Sequence, residues 1–334
     1  MTGPLLRVKN LKTHFQTERG LVRAVDGVSF DLEQGLTLGL VGESGCGKTI
    51  LCRTLLGLLP GSATIPPETE VTFDGQDLRV LDEKALRRVR GREIAMIFQD
   101  PMTSLNPVMK VGDQIGESLV MHLNMTKSDA KNRAIELLRA VGIPSPERRV
   151  SEYPHQLSGG IRQRVAIAIA LACEPKLLIA DEPTTALDVT VQSGILDLLQ
   201  RQQADRGMSM ILITHDLGVV AGRTDEIAVM YAGKMVERAP TKTLFANTQM
   251  PYTRALMASI PRIDHPPHTR LTAISGFPPS LIDPPPGCRF APRCTQAHDK
   301  CVHEEPTLAS AGDPAHRFAC WYPAAPPAVG GAAQ

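Results

Sequence analysis

The sequence predicts an α/β protein with a mostly parallel sheet, followed by a small cysteine-rich C-terminal extension. Three observations lead there. Short apolar runs suited to buried strands alternate with segments of helical period. A glycine-rich loop ending in Lys-Thr joins one such strand to a helix. Beyond about residue 260 the periodicity fades, and Pro, His and Cys become frequent.

LRVKNL, VRAVDGVSFDL and LTLGLVG, within residues 5–42, read as strands, with Gly35 marking a turn. A helix is expected from Lys48 through LCRTLLGLL, stopped by Pro60 and Gly61. VTFDG and IAMIFQ (94–99) are short strands. Residues 111–142 have helical periodicity, with Gly142 as the stop after AIELLRAV. KLLIADE (176–182) is a continuous apolar strand ending in two acids, and MILITH (210–215) repeats the design. The boundaries expected are 1–260 for the main domain, 261–322 for the extension and 323–334 for a disordered tail.

The chain has 334 residues, 43% of them apolar, which is ample for a large core divided into two or three domains or subdomains. A net charge of +1 and 4% aromatic residues give neither an electrostatic nor a stacking argument for nucleic acid. MTGPLLRVKN has no signal-peptide pattern. The longest apolar run, VAIAIALAC (165–173), is nine residues, and a bilayer span needs about 20. The expectation is a soluble, cytoplasmic chain without membrane insertion, so that any membrane role must come through a partner.

GESGCGKT fits the phosphate-loop pattern G-x-x-x-x-G-K-[ST] over Gly42, Glu43, Ser44, Gly45, Cys46, Gly47, Lys48 and Thr49. The glycines let backbone N–H groups approach phosphates, Lys48 can reach the β- and γ-phosphates of ATP, and Thr49 can offer a hydroxyl to Mg²⁺. A glycine-rich turn with a chance lysine is the competing reading, and the strand-loop-helix context disfavours it. Cys46 reads as a small filler. In LLIADEP, Asp181 ends a buried strand where it can hold the Mg²⁺ shell, and Glu182 can orient or deprotonate the attacking water. Surface acids before a turn are the bland alternative.

LSGGIRQR (157–164) resembles the signature of ABC-type ATPases. That resemblance implies a phosphate-loop core with an antiparallel β-subdomain and a helical subdomain at about 105–172. It implies that Ser158, Gly159 and Gly160, at a helix start, contact the γ-phosphate of ATP held by a second subunit. Gln99 in IFQDP matches the loop glutamine that senses Mg²⁺ and nucleotide. Asp188 in TTALD matches the aspartate that communicates across the dimer, and His215 in ITHD the switch histidine on the γ-phosphate. Phe15 lies where the family places an aromatic on the adenine ring, although an ordinary strand residue is the commoner reading of one Phe. Ile161 departs from the glutamine many members carry after Ser-Gly-Gly, which puts that side-chain contact in doubt.

IFQDPMTSLNP, YPHQLSGG, FANTQMPYTRALMASIP and the tail PPPGCRFAPRC resemble the ATPase subunits of oligopeptide and dipeptide importers. The resemblance implies a distinct partner ATPase, two transmembrane permease subunits and an external solute-binding protein, with this chain peripheral on the cytoplasmic face of the inner membrane. Importers of glutathione or nickel chelates use similar machinery. Non-transport ABC ATPases form another class, but the coiled-coil and zinc-binding insertions or tandem ATPase units typical of them are not seen in this sequence.

Four of the seven cysteines, Cys288, Cys294, Cys301 and Cys320, fall in the last 47 residues with spacing C-x5-C-x6-C-x18-C. No C-x-x-C occurs, so a zinc ribbon is not indicated. A [4Fe–4S] cluster on four thiolates, zinc on four cysteines or with His298, His303 or His316 as one ligand, and unligated packed cysteines all fit the residues. The family resemblance favours the cluster, in a mainly structural role. Cys52 and Cys173, in apolar helical stretches, read as core.

Overall fold

The computed structural model describes residues 3–100, 104–185, 187–260, 274–310 and 312–323. The expected tail falls almost wholly on 324–334, outside the described residues, as do residues 261–273 at the expected domain boundary. The chain divides into two compact units.

The first unit comprises residues 1–5, 32–37 and 73–213. Strands Ile94–Ile97, Leu177–Asp181 and Ser209–Thr214 lie side by side and parallel, with Ile97 opposite Ala180 and Asp181 opposite Ile213. Leu177 to Asp181 and Ser209 to Thr214 are buried throughout, which explains their unbroken apolar runs. Helices Val111–Leu123, Lys127–Ala140 and Gly159–Leu171 pack on one another. The continuous helical pattern expected over 111–142 is two helices. Asn124 takes the left-handed conformation at φ 54°, and the Thr126 side chain then accepts from the Asp129 N–H to cap the second. Gly142 follows at φ 73°, the expected stop.

The second unit comprises residues 6–31, 38–72 and 214–334. Its long strands Leu6–Thr17 and Gly20–Leu32 are neighbours. Leu6–Thr17 also pairs antiparallel with Ala63–Thr64, setting Phe15 opposite Ala63. A second group of strands runs Ala309–Ser310, Arg317–Phe318, Lys234–Pro240, Glu226–Tyr231 and Thr37–Val41 in spatial order. All its pairings are antiparallel except that of Glu226–Tyr231 with Thr37–Val41, which is parallel.

The helix after the glycine-rich loop spans Lys48–Leu55, shorter than expected. Gly57 ends it, ahead of Pro60. At φ 61° its N–H donates to the Thr54 carbonyl, and the Leu58 N–H reaches the Arg53 carbonyl. This pair of bonds satisfies helix-end carbonyls through a left-handed glycine. Cys52 and Cys173 are buried as expected, Cys173 just past the end of helix Gly159–Leu171.

Candidate functional site

In the second unit, strand Thr37–Val41 feeds the loop Gly42–Gly47, which opens into the helix at Lys48. Two glycines are obligatory here. A Cβ on Gly42 would lie 2.2 Å from the Met230 carbonyl oxygen, and one on Gly47 2.3 Å from that of Ala24. Gly47 also holds φ 106° as the residue before the helix. Lys48 is buried, and its ammonium donates to the Gly42 carbonyl at 2.7 Å and the Glu43 carbonyl at 3.1 Å. Cys46 is buried with its sulfur 3.8 Å from Lys48 Nζ, and burial raises its thiol pKa. Its packing role is the one expected. Ser44 and Gly45 are exposed, and Thr49 is half-buried in the first helical turn. Phe15 is half-buried, and His215 is exposed just past strand Ser209–Thr214.

In the first unit, Asp181 is buried at the end of its strand. Glu182 follows in the left-handed region at φ 46°, and its N–H donates to the Ile213 carbonyl at 3.0 Å. The turn aims its side chain at two donors, Gln99 Nε2 and Thr185 Oγ1, both 2.9 Å from Oε2. Ser158 is the exposed N-cap of helix Gly159–Leu171. Asp188 caps helix Val189–Arg206 by accepting from the Val191 N–H at 2.9 Å. These two helix starts are close, since a Cβ on Gly160 would lie 2.9 Å from Val191 Cγ1. Within this unit the structure brings Gln99 together with Glu182, and the signature glycines near the helix capped by Asp188.

Sequence reasoning missed three contacts. Thr185 shares the Glu182 carboxylate. Tyr252 Oη accepts from the Glu43 N–H at 2.9 Å, and Arg293 forms a forked ion pair with the Glu43 carboxylate. No motif signals the last two, which join residues more than 200 positions apart.

The four tail cysteines converge. Cys288, Cys294, Cys301 and Cys320 all line one cavity of about 10 Å³, together with Phe290 and Trp321. The Cys288 N–H donates to the Cys301 carbonyl at 2.8 Å. Burial raises the thiol pKa of Cys288 and Cys294 and pushes that of Cys320 up to about 11, so neutral thiols are favoured there. The donor set has the number and softness for a four-thiolate group. The expected ligand geometry is not borne out, however: among the described residues no group of three or more His, Cys, Asp or Glu stands ready to hold a metal ion. A cavity this small has room for about one water, so the thiols would have to separate around a cluster.

Among the described residues no helix is long and apolar enough to cross a membrane.

The family model described as ABC transporter matches residues 25–185, and that described as oligopeptide/dipeptide transporter, C-terminal region, matches 236–301. The chain is 50% identical over 317 residues to the dipeptide transport ATP-binding protein DppD of Bacillus subtilis (strain 168), covering 95% of this chain and 94% of that protein. It is 50% identical over 324 residues to the oligopeptide transport ATP-binding protein OppD of the same organism, covering 96% and 90%. Among solved structures, the ATP-binding cassette MJ0796, a dimer in a post-hydrolysis state bound to ADP and Pi, superposes with a TM-score of 0.64 at 27% identity, over 71% of this chain and 98% of that one. With identity near one half along almost the entire chain, the protein belongs to the ATP-hydrolysing ATP-binding subunits of ABC transporters, in the branch that carries the oligopeptide/dipeptide transporter C-terminal region.

Proposed function

We propose that this chain is a motor subunit of an importer of dipeptides and oligopeptides, peripheral on the cytoplasmic face of the inner membrane. It would work with a second, distinct ATPase subunit, two permease subunits and an external solute-binding protein. One observation carries the reading: the phosphate loop and the peptide-transporter C-terminal region lie on one chain that aligns over 95–96% of its length with peptide-transport ATP-binding proteins.

The roles follow from the chemistry of each group. The amides of Gly45, Gly47 and Lys48, with the Lys48 ammonium, bind phosphate oxygens. Thr49, Gln99 and Asp181 are hard oxygen donors suited to Mg²⁺, which when bound neutralises charge on the phosphates. Glu182 accepts a proton from the attacking water, and Gln99 and Thr185 fix the carboxylate that does so. His215 donates to the γ-phosphate, and Phe15 stacks on the adenine ring. Ser158, Gly159 and Gly160 present a helix start to ATP held by the partner subunit, while Asp188 communicates across the dimer.

We further infer that Cys288, Cys294, Cys301 and Cys320 hold a [4Fe–4S] cluster, with zinc the alternative. The support is the convergence of four soft donors on one cavity in a segment poor in regular structure. The group would supply a structural cross-link.

The test is uptake of labelled peptides by cells in which this chain is replaced by its Glu182→Gln variant. Loss of dipeptide and oligopeptide uptake is expected. Intact peptide uptake, with glutathione or nickel uptake lost, would move the chain to another solute.

A further inference from the structure

The C-terminal region reaches into the phosphate loop. Arg293, one residue before Cys294, is 4% exposed at its side chain and meets the Glu43 carboxylate in a two-pronged pair, with Nη1 to Oε2 at 2.6 Å and Nη2 to Oε1 at 2.9 Å. The other donors are also engaged: Nε donates to the Ser275 carbonyl, Nη1 to Tyr231 Oη and Nη2 to the Ile274 carbonyl. The five contacts match the five N–H bonds of a guanidinium. The Arg293 guanidinium lies 5.8 Å from the Tyr231 ring centroid, and Tyr231 packs with Tyr252 and Phe290, with ring centroids 4.6–5.3 Å apart. Tyr252 Oη accepts from the Glu43 N–H at 2.9 Å.

Glu43 is an awkward residue for this loop. It is a carboxylate beside a site built for the most highly charged part of ATP, where an unpaired negative charge repels phosphates and draws on the same amides. Its position in the loop is otherwise held by the buried Lys48 ammonium, which binds the Glu43 carbonyl.

We propose that Arg293 is a positioning residue for ATP binding: by neutralising and fixing the Glu43 side chain, it keeps the phosphate loop open to the nucleotide and makes the C-terminal region an integral part of the ATP site. This rests on the reading of Gly42–Thr49 as the phosphate loop. Arg293 acts through Glu43 and touches no reacting atom.

The experiment is calorimetric titration of the full-length chain with MgATP, alongside melting of each variant without nucleotide. Arg293→Ala is expected to weaken ATP binding by at least about tenfold, because it leaves a half-buried carboxylate uncompensated. Adding Glu43→Gln to Arg293→Ala should recover most of that loss, because the repelling charge is gone. A purely structural role for Arg293 predicts the opposite, with the double variant no better than the single one. Binding by Arg293→Ala within twofold of the parent, or no recovery in the double variant, overturns the proposal. If Arg293→Ala does not fold, Arg293→Lys replaces it: the charge stays and the fork is lost, about threefold weaker binding is expected, and unchanged binding overturns the proposal. Lys48→Ala separates the two readings. Parent-like ATP binding there removes the phosphate-loop assignment itself, whereas failure confined to the Arg293 variants removes only the positioning role.

Discussion

Gln99 Nε2 donates to Glu182 Oε2 at 2.9 Å, joining a loop glutamine to a strand-end carboxylate 83 positions away. The bond holds the carboxylate proposed as the base and ties it to the residue that the resemblance assigns to sensing Mg²⁺. Glu182→Gln keeps the shape and removes the carboxylate. Phosphate release should fall by about 10²–10⁴-fold with ATP still bound and trapped. Turnover within twofold of the parent would take that role away from Glu182.

Gln99→Ala is the milder change. The Thr185 hydroxyl still holds Glu182, so one donor is lost and another stays. The expected outcome is a fall of about tenfold in kcat, the worth of roughly one hydrogen bond, read by steady-state ATP hydrolysis in the assembled transporter. An equal fall for Thr185→Ala would show that the two donors act alike.

Gly47→Ala tests the loop's backbone. The new Cβ would sit 2.3 Å from the Ala24 carbonyl oxygen, on a backbone at φ 106°. Relief requires moving the loop, at a cost of about 1–3 kcal/mol. Nucleotide titration should show ATP binding lost or severely weakened, while Gly45→Ala, whose Cβ meets nothing within 4 Å, should be milder.

The second unit also has an acid-sensitive tie. Asp26 is paired with Arg289 and lies 3.8 Å from Lys234. Burial opposes its ionisation, and the two cations overcome that, holding the carboxyl below its ordinary value of 3.8. A carboxyl lowered by folding stabilises the protein above its unfolded pKa, and that stability is lost as pH falls through the folded value. Urea unfolding should therefore show Asp26→Asn less stable by about 1–3 kcal/mol at pH 7, with the gap closing below pH 3.8.

For the tail, anaerobically purified protein should contain about four irons and four acid-labile sulfides per chain, with broad absorption near 400 nm. Substituting Ser for Cys294 should lower both contents. One zinc without sulfide would replace the cluster by a zinc module, and neither metal would leave four packed thiols.

The strand order along the chain, the glycine-rich loop and the placing of Asp181 and Glu182 at a strand end were legible because each has a local cause. Buried parallel strands are uniformly apolar, and glycine marks the loop positions where φ turns positive at Gly42, Gly45 and Gly47. Two boundaries moved for equally local reasons: Gly57 closed a helix before Pro60 could, and Asn124 in the left-handed region divided a pattern whose apolar period was nearly continuous. Contacts over long separations left no trace. Nothing in PPPGCRFAPRC says that its second arginine meets a glutamate 250 positions earlier. The convergence of the four cysteines was foreseeable from their number, but the spacing of their sulfurs was not.

Strand Lys234–Pro240 is paired on one flank with Glu226–Tyr231 and on the other with Arg317–Phe318, where the Ala319 N–H adds a bond to the Val236 carbonyl at 2.8 Å. The last described stretch of the chain therefore occupies what would otherwise be a bare row of backbone donors and acceptors beside buried Met235 and Val236. A chain truncated before Ala309 would expose that row as a template for edge-to-edge pairing. Premature termination there would thus yield a self-associating, aggregation-prone product even with every residue of the phosphate loop in place.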